Sequence, residues 1–422
     1  MLLQFNFANH KSFREETSLD LTATGIKEYN DHIFEIGEEK ILPTAAIYGA
    51  NAGGKSNVMD AFHYMYYYVA SSFGFDLDDK SNDRVGFISP PAFLFDTESK
   101  AKESSYEVYF IDRKILNDRE YVTTYNYGFT VNQMGVLEEW LNSKAKTAKE
   151  FRQVFYRNEN KDLLELDGIP QKQRENIKIS LRRETLVVSL GAKLKVENLK
   201  LIYDWFLQNE IINFASSWEI LIRGKRLPDG FSTNKKIQRD VVDFLSTFDT
   251  DIIDFEVHPG IKDEEGNERF SVYAIHRSVD SDELISIPLV LESAGTLKML
   301  SLYQSVKDAL TNGSVLFVDE LNARLHPTMV SNIIHTFTNK DLNPNGAQLV
   351  FTTHDAIQLD TNSLRRDEIW FVEKINGQSH LYSLADFVDE DGKKIRKDEN
   401  YQKNYLVGKY GAIPNLKQIS VV

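Results

Sequence analysis

Apolar and polar residues alternate at the start of the chain, as they do in half-buried β-strands. Leu3, Phe5 and Phe7 fall on one side of the first such run. The same alternation recurs in three further runs, at 17–21, 104–111 and 121–131. A short apolar run over 41–48 ends at Gly49, which is typical of a buried strand that enters a turn. These runs predict a first lobe that mixes antiparallel strands with one buried strand.

Two parts of the chain carry the spacing of amphipathic helices, with three or four residues between apolar positions. The first follows the buried strand and consists of Val58, Phe62, Met65 and Val69. The second lies beyond Leu141 and has two apolar stripes: Val196, Leu199, Tyr203 and Phe206, then Ile237, Val241, Phe244 and Phe248. We therefore predict a mainly helical insertion over 141–250.

Strand and helix patterns then alternate along the rest of the chain. The predicted strands are 269–276, 284–291, 314–318, 347–353 and 368–374, and the predicted helices are 296–310 and 327–338. Such alternation is typical of a parallel sheet with crossover helices. We predict an α/β protein whose core is divided between 1–140 and 251–385. The segment 386–422 reads as a charged linker and a C-terminal tail.

The composition narrows the class of protein. Of the 422 residues, 42% are hydrophobic, which is typical of a globular core. The net charge of −14 is the opposite of what a protein held on duplex DNA by phosphate contacts alone would need. Cysteine is absent, which excludes disulfides, thiolate zinc sites and a cysteine nucleophile. No leader or membrane-spanning run is visible, so we expect a cytoplasmic protein with no membrane partner.

A glycine-rich segment between the buried strand and the first helix has the pattern of a phosphate-binding loop (P-loop). Its sequence, Gly49-Ala-Asn51-Ala-Gly53-Gly54-Lys55-Ser56, matches G-x-x-x-x-G-K-[ST]. In such a loop the backbone N–H groups surround phosphate oxygens, and the following helix adds the positive end of its dipole. We expect Lys55 to reach the terminal phosphates and the Ser56 hydroxyl to bind Mg²⁺.

Two adjacent carboxylates follow the apolar run 315–318, at a strand end where open α/β sheets bind their ligands. Asp319 is expected to hold Mg²⁺, and Glu320 to orient and deprotonate the attacking water. An apolar strand that ends in Asp-Glu is a weak signal by itself. It gains weight here because a P-loop needs such an acidic partner.

Two more segments have places in a nucleotide site. Ser293 and Gly295 lie in Glu-Ser-Ala-Gly-Thr at a predicted helix start, where backbone N–H groups can bind an anion. One active site does not need a second phosphate nest, but a dimer that sandwiches ATP between its protomers does; an ordinary N-cap serine is the alternative. His354 ends the next strand, where it would sense the γ-phosphate, and a purely structural histidine is its alternative.

These four segments, in this order and with an insertion between them, resemble the ABC-type ATPase heads of the RecF, SMC and Rad50 class. Within that class the chain looks most like the AAA15 ATPases (RloA- and AbiLi-like) of bacterial phage-defence loci, relatives of the OLD-family ATPase module. The segments that match in addition are 7–13, 54–57, 325–327, 368–373 and 410–414.

The resemblance implies ATP and Mg²⁺ as cofactors and a homodimer or higher oligomer as the active form. It adds Asn57 to the nucleotide-binding residues and places Ser293 and Gly295 against the γ-phosphate of the partner protomer. It makes Glu320 the catalytic carboxylate and His354 the γ-phosphate sensor. It also implies antiviral defence, in which a phage protein is the trigger and a separate effector, such as a TOPRIM-type nuclease, is the toxic component.

The chain departs from that family pattern in two places. Asn322 or Ala323 stands where an Asp or Glu is usual after the acidic pair, so the loop that contacts the partner protomer is altered. The expected Q-loop region, 90–93, contains no glutamine. The sequence favours ATP over GTP as the nucleotide. Guanine-specific sites use the motif Asn-Lys-x-Asp, whereas residues 339–342 are Asn-Lys-Asp-Leu, with the Asp one position too early.

Other interpretations stay open. The region 144–200 has a local excess of basic residues, including Lys172, Arg174, Lys178, Arg182 and Arg183. These side chains either contact nucleic acid or an acidic partner, or form the solvated face of helices. The alternative function is accordingly a RecF- or Rad50-like DNA-repair head that binds DNA. A third possible function is that of a scaffold, in which the bound nucleotide has a purely structural role.

Overall fold

The computed structural model describes residues 1–75, 87–117, 119–214, 227–228, 230–246, 251–259, 270–323, 325–359, 363–389 and 392–414. Phe248, Arg269 and 415–422, which belonged to our predictions, lie outside these residues. The strands are β1 (Leu2–Ala8), β2 (Thr17–Asp20), β3 (Phe34–Ile36), β4 (Glu39–Ile41), β5 (Thr44–Tyr48), β6 (Ser104–Leu116), β7 (Arg119–Asn132), β8 (Gly135–Ala145), β9 (Arg152–Asn158), β10 (Leu163–Glu165), β11 (Glu210–Asn213), β12 (Asp254–Pro259), β13 (Phe270–Arg277), β14 (Leu284–Pro288), β15 (Val315–Asp319), β16 (Gln348–Thr353), β17 (Ile369–Ile375) and β18 (Gln378–Ser383). The helices are α1 (Lys55–Ser71), α2 (Gln171–Ser180), α3 (Val187–Lys193), α4 (Glu197–Gln208), α5 (Lys235–Ser246), α6 (Ala294–Asn312), α7 (Pro327–Thr338) and α8 (Tyr401–Leu406).

The first sheet is antiparallel, in the order β10-β9-β8-β7-β6-β1-β2. Phe5 and Phe7 of β1 are buried in the main core, as their alternation predicts. The prediction that Leu3 shares their face is wrong. A register shift between Leu2 and Gln4 puts Leu2 into the main core instead, while Leu3 joins a smaller cluster with Ile41. A bulge of this kind reverses the facing of every residue on one side of it.

The second sheet confirms the predicted α/β fold of a P-loop ATPase. Its order is β11-β15-β16-β5-β17-β18, and every neighbouring pair is parallel except β17 with β18. Strands β5, β15 and β16 are buried throughout, which explains their continuous apolar runs. Since parallel strands end at the same edge, the P-loop, the acidic pair and His354 lie along one side of this sheet.

The predicted helical insertion begins later than position 141. Strands β8, β9 and β10 extend the first sheet to Glu165, and the first helix of this region begins at Gln171. The alternation there is hard to recognise because the register between β8 and β9 shifts between Leu141 and Asn142. Helices α3 and α4 pack on α1 within the same core as the sheet, where Phe206 lies 6.3 Å from Phe62 between ring centroids.

A small sheet of β12, β13 and β14 leads directly into α6. Among the described helices none combines the length and the apolar character needed to cross a membrane.

Candidate nucleotide-binding site

The P-loop connects buried β5 to the first turn of α1, and its backbone geometry depends on glycine. Gly54 has φ of 117°, a conformation that side-chain-bearing residues rarely adopt. A Cβ atom at this position would lie 2.4 Å from the hydroxyl oxygen of Ser379. Only glycine therefore lets the loop approach the β17–β18 hairpin so closely.

Lys55 folds back across the mouth of the P-loop. Its side-chain Nζ donates hydrogen bonds to the carbonyl oxygens of Gly49 at 2.8 Å and Ala50 at 3.2 Å. Burial lowers the pKa of Lys55, while the negative charges of Glu320 and Asp319 act in the opposite direction. The lysine is thus held between the loop and the two carboxylates, where a terminal phosphate would meet all three.

The Thr352 hydroxyl, at the end of β16, fixes both members of the acidic pair. It donates to Oδ1 of Asp319 at 2.5 Å and accepts the backbone N–H of Glu320 at 2.8 Å. Glu320 adopts a left-handed conformation with φ of 56°, which is strained for a residue with a side chain. Within the described part of the chain the Glu320 carboxylate has no hydrogen-bond partner. It is therefore available to a water molecule.

His354 lies beside the loop that follows the acidic pair. The side chain of Asn322 links the two segments: its Oδ1 accepts from the Thr353 hydroxyl at 3.0 Å, and its Nδ2 lies 3.3 Å from Nε2 of His354. Asn322 was singled out from the sequence only as a departure from the family pattern. In the fold it positions the candidate γ-phosphate sensor.

The segment with Ser293 and Gly295 opens α6, as predicted. The Ser293 hydroxyl accepts the backbone N–H of Thr296 at 3.0 Å, so it acts as an N-cap. Because the N–H groups of Thr296 and Leu297 are bonded to Ser293, the backbone N–H groups of Ala294 and Gly295 are the anion-binding groups that remain in this segment. No hydrogen bond or ion pair among the described residues links Ser293 or Gly295 to the P-loop of the same chain.

Lys298 is a functional candidate that sequence reasoning missed. It lies on α6 one turn after Gly295, is fully buried, and donates to the carbonyl oxygen of Leu321 at 2.9 Å and to that of Ala323. Its Nζ also lies 4.2 Å from the centroid of the Phe214 ring. Lys298 therefore fastens the helix that begins with Ser293 to the loop that follows Glu320.

Behind the P-loop, hydroxyl and amide groups hold its shape. Asn57 donates to the Ser12 hydroxyl at 2.7 Å, so its side chain supports the loop. Ser379 Oγ lies 2.7 Å from the same hydroxyl and 2.6 Å from the carbonyl oxygen of Gly53. Ser12 and Ser379 were not predicted, because each acquires its role only when distant segments meet.

The donor set fits Mg²⁺ held together with a nucleotide. Within the described residues the Ser56 hydroxyl has no hydrogen-bond partner, and Asp319 offers a second hard oxygen ligand. Nowhere in the described part of the chain do three or more His, Asp or Glu side chains form a group that could hold a metal by themselves. Mg²⁺ characteristically completes its octahedral shell with phosphate oxygens and water in such sites.

Two basic residues of α2 are engaged locally. Arg174 donates to the carbonyl oxygens of Ile169 at 2.7 Å and Asp167 at 2.9 Å, and Lys178 pairs with Glu175 at 3.4 Å. These contacts favour the solvated-helix interpretation of this stretch.

A P-loop at the end of β5, an acidic pair at the end of β15 and a polar strand end between them define a P-loop ATPase. Residues 45–360 match the family described as "AAA domain, putative AbiEii toxin, Type IV TA system", and the chain belongs to that family. No curated protein matches the sequence. Among solved structures, one similar fold is the "SmcHead bound to the C-winged helix domain of ScpA". It is 14% identical, has a TM-score of 0.36, and the match covers 90% of this chain and 97% of that one.

Proposed function

We propose that this ATPase is of the ABC type, dimerises when it binds ATP and Mg²⁺, and controls a separate toxic effector in antiviral defence. The observation that carries the catalytic part is the arrangement of Lys55, Asp319 and Glu320 at one edge of the parallel sheet. Glu320 has a carboxylate without a hydrogen-bond partner in the described structure, next to a carboxylate that is fixed by Thr352.

Each residue then has a defined task. The P-loop N–H groups and Lys55 bind the phosphates, and Ser56 with Asp319 holds Mg²⁺, which neutralises charge on the phosphate chain. Glu320 accepts a proton from the attacking water, whose direction of approach it also sets. His354, held by Asn322, faces the γ-phosphate and changes its contacts when that group leaves.

Dimerisation is supported by the position of Ser293 and Gly295. Their helix start offers N–H groups to an anion, but none of the described contacts joins it to the P-loop of the same chain. A second protomer would bring this segment to the nucleotide and complete the site. Nucleotide state and assembly would then be linked.

The defence role rests on the resemblance to the AAA15 ATPases. The description of the family to which the chain belongs also names a toxin of a type IV TA system. We infer that this ATPase responds to a phage protein and that its nucleotide-linked state restrains or releases the effector.

A Lys55→Ala variant tests the nucleotide site. It should lose binding of ATP with Mg²⁺, because Lys55 is the P-loop cation that faces both carboxylates. Titration calorimetry against the wild type measures the loss, and unfolding midpoints check that the fold is kept. Undiminished ATP binding by the variant would refute the assignment of the site.

The defence role requires a second experiment. The tagged chain is expressed from its own locus with its flanking genes, gently purified, and its partners are identified by mass spectrometry. A stoichiometric nuclease or other toxin supports control of a separate effector. Recovery of this chain alone with salt-sensitive, nucleotide-dependent binding to duplex DNA would instead favour a DNA-repair head.

A further inference from the structure

We propose that His276 is a positioning residue of the dimer interface, because it holds the carboxylate of Glu292 away from the helix start that meets the nucleotide of the partner protomer. This inference rests on the proposed function in one respect, that Ser293 and Gly295 approach that nucleotide. It adds the side chain that keeps a negative charge off the same surface.

A carboxylate lies directly before the anion-binding start of α6. Glu292 precedes the N-cap residue Ser293. The N–H groups of Ala294 and Gly295 and the positive end of the helix dipole attract an anion. A free carboxylate at position 292 would compete for these groups and would repel the phosphates of a nucleotide. The helix start can therefore serve a nucleotide well only if Glu292 is neutralised or turned away.

The small sheet supplies the partner that does both. Nε2 of His276, on β13, lies 2.8 Å from Oε1 of Glu292. The two side chains are 15% and 8% exposed, whereas Ser293 and Ala294 are exposed to solvent. Within the described ranges no other side chain bonds to Glu292. The carboxylate is thus directed at β13, and the helix start is left open.

His276 is attached to a firm support. Strand β13 is the central strand of the small sheet, and His276 lies opposite Ile285 of β14. A short 3₁₀ turn, Leu289–Leu291, joins β14 to Glu292. The pair therefore closes the path from β13 through β14 back to the start of α6 and fixes where the carboxylate lies.

The surface around this helix start has the character of an interface. Val290 and Leu291 are 55% and 72% exposed, although both are large apolar residues. Apolar surface of this kind is typical of sites that another protein covers. A second copy of the chain that brings a nucleotide to Ser293 would cover these residues as well.

The test measures dimer dissociation constants by sedimentation with Mg²⁺ and the slowly hydrolysed analogue ATPγS. His276→Leu keeps the bulk of the side chain but frees Glu292, so it should weaken the dimer about tenfold or more. Glu292→Gln alone should stay within about threefold of the wild type, and the double variant His276→Leu/Glu292→Gln should return to that range, because the repelling charge is gone.

A second histidine of the same sheet provides the matched control. His258, on β12, lies 3.1 Å from Glu256 in an exposed pair, and His258→Leu should leave the dimer unchanged. Calorimetry at protein concentrations that keep the chain monomeric should give the same ATPγS affinity for all variants, because each retains its own P-loop. Unfolding midpoints verify that each variant folds.

Two results would overturn the role of His276. One is a His276→Leu variant that dimerises as well as the wild type. The other is a double variant as weak as His276→Leu, because the pair would then act by packing alone. If the wild type binds ATPγS but stays monomeric, the proposed dimer itself fails, and the role of His276 fails with it. If the wild type dimerises, only the behaviour of the variants decides the role of His276.

Discussion

The buried carboxyl group of Glu139 makes the stability of this protein depend on pH in a direction opposite to that of most carboxylates. Glu139 lies on β8 and accepts the backbone N–H groups of Val187 and Val188, at the start of α3, at 2.6 and 3.1 Å. Its Oε1 also accepts from the Tyr127 hydroxyl at 3.1 Å. Burial raises its pKa from 4.5 to about 7, against the opposing effects of Arg157 and these hydrogen bonds.

Between pH 4.5 and about 7 the folded chain therefore holds a proton at Glu139 that the unfolded chain has lost. The contribution of Glu139 to the free energy of unfolding is fully present below pH 4.5 and decreases as the pH rises to about 7. The pKa difference between 4.5 and about 7 sets a ceiling of roughly 3 kcal/mol for this loss, since one pH unit corresponds to about 1.4 kcal/mol.

Urea unfolding of the wild type and Glu139→Gln across this pH range measures the effect. Glutamine is uncharged throughout, so between pH 4.5 and 7.5 the wild type should lose about 2–3 kcal/mol more unfolding free energy than the variant. Glu138→Gln is the matched control, because Glu138 lies next in sequence, accepts from Asn158 instead and is only half-buried. Parallel pH profiles of the wild type and Glu139→Gln would refute the reasoning.

Two further substitutions test the geometry around the P-loop and the acidic pair. Lys298→Met should keep ATP affinity within a few-fold of the wild type but lower turnover at least about tenfold. The loop after the acidic pair then loses the buried hydrogen bonds of Lys298, and one or two charged hydrogen bonds account for a change of this size. Lys307→Met on the same helix is the control, and unchanged turnover in Lys298→Met would remove its positioning role. Gly54→Ala should abolish ATP binding, because its Cβ would collide with Ser379. Gly25→Ala is the control: it has open space around it and should bind ATP normally in the same calorimetric assay. Normal ATP binding by Gly54→Ala would contradict the loop geometry.

Much of the catalytic core could be predicted from sequence because its signals are local. The glycine pattern before Lys55, the apolar run before Asp319 and the helical spacing after the P-loop each lie within one segment. Buried parallel strands also have continuous apolar runs that are hard to misplace when they end in functional residues. These segments together predicted a P-loop ATPase, and the family match agrees with that class.

The parts that sequence reasoning missed depend on contacts between distant segments or on irregular pairing. The bulge at Leu3 and the register shift at Leu141 each interrupt a period of two. The alternation therefore predicts the wrong face for Leu3 and a helical region where the end of β8 and strands β9 and β10 lie. Ser379 and Lys298 were missed because neither residue belongs to a motif, and each acquires its role by contact with a distant residue, Gly53 for Ser379 and Leu321 for Lys298. Only the folded chain shows what they contact.

A Glu320→Gln variant separates the hydrolysis of ATP from its binding. The substitution keeps the size of the side chain and removes the carboxylate that would accept a proton from water. Steady-state ATP hydrolysis, ATP affinity and mass by light scattering are measured with ATP and Mg²⁺ for the variant, the wild type and Lys55→Ala. We expect Glu320→Gln to bind ATP normally, to accumulate as a dimer and to hydrolyse ATP more slowly by orders of magnitude, whereas Lys55→Ala should neither bind ATP nor dimerise. Turnover of Glu320→Gln within a few-fold of the wild type would contradict the role of Glu320 as the catalytic carboxylate.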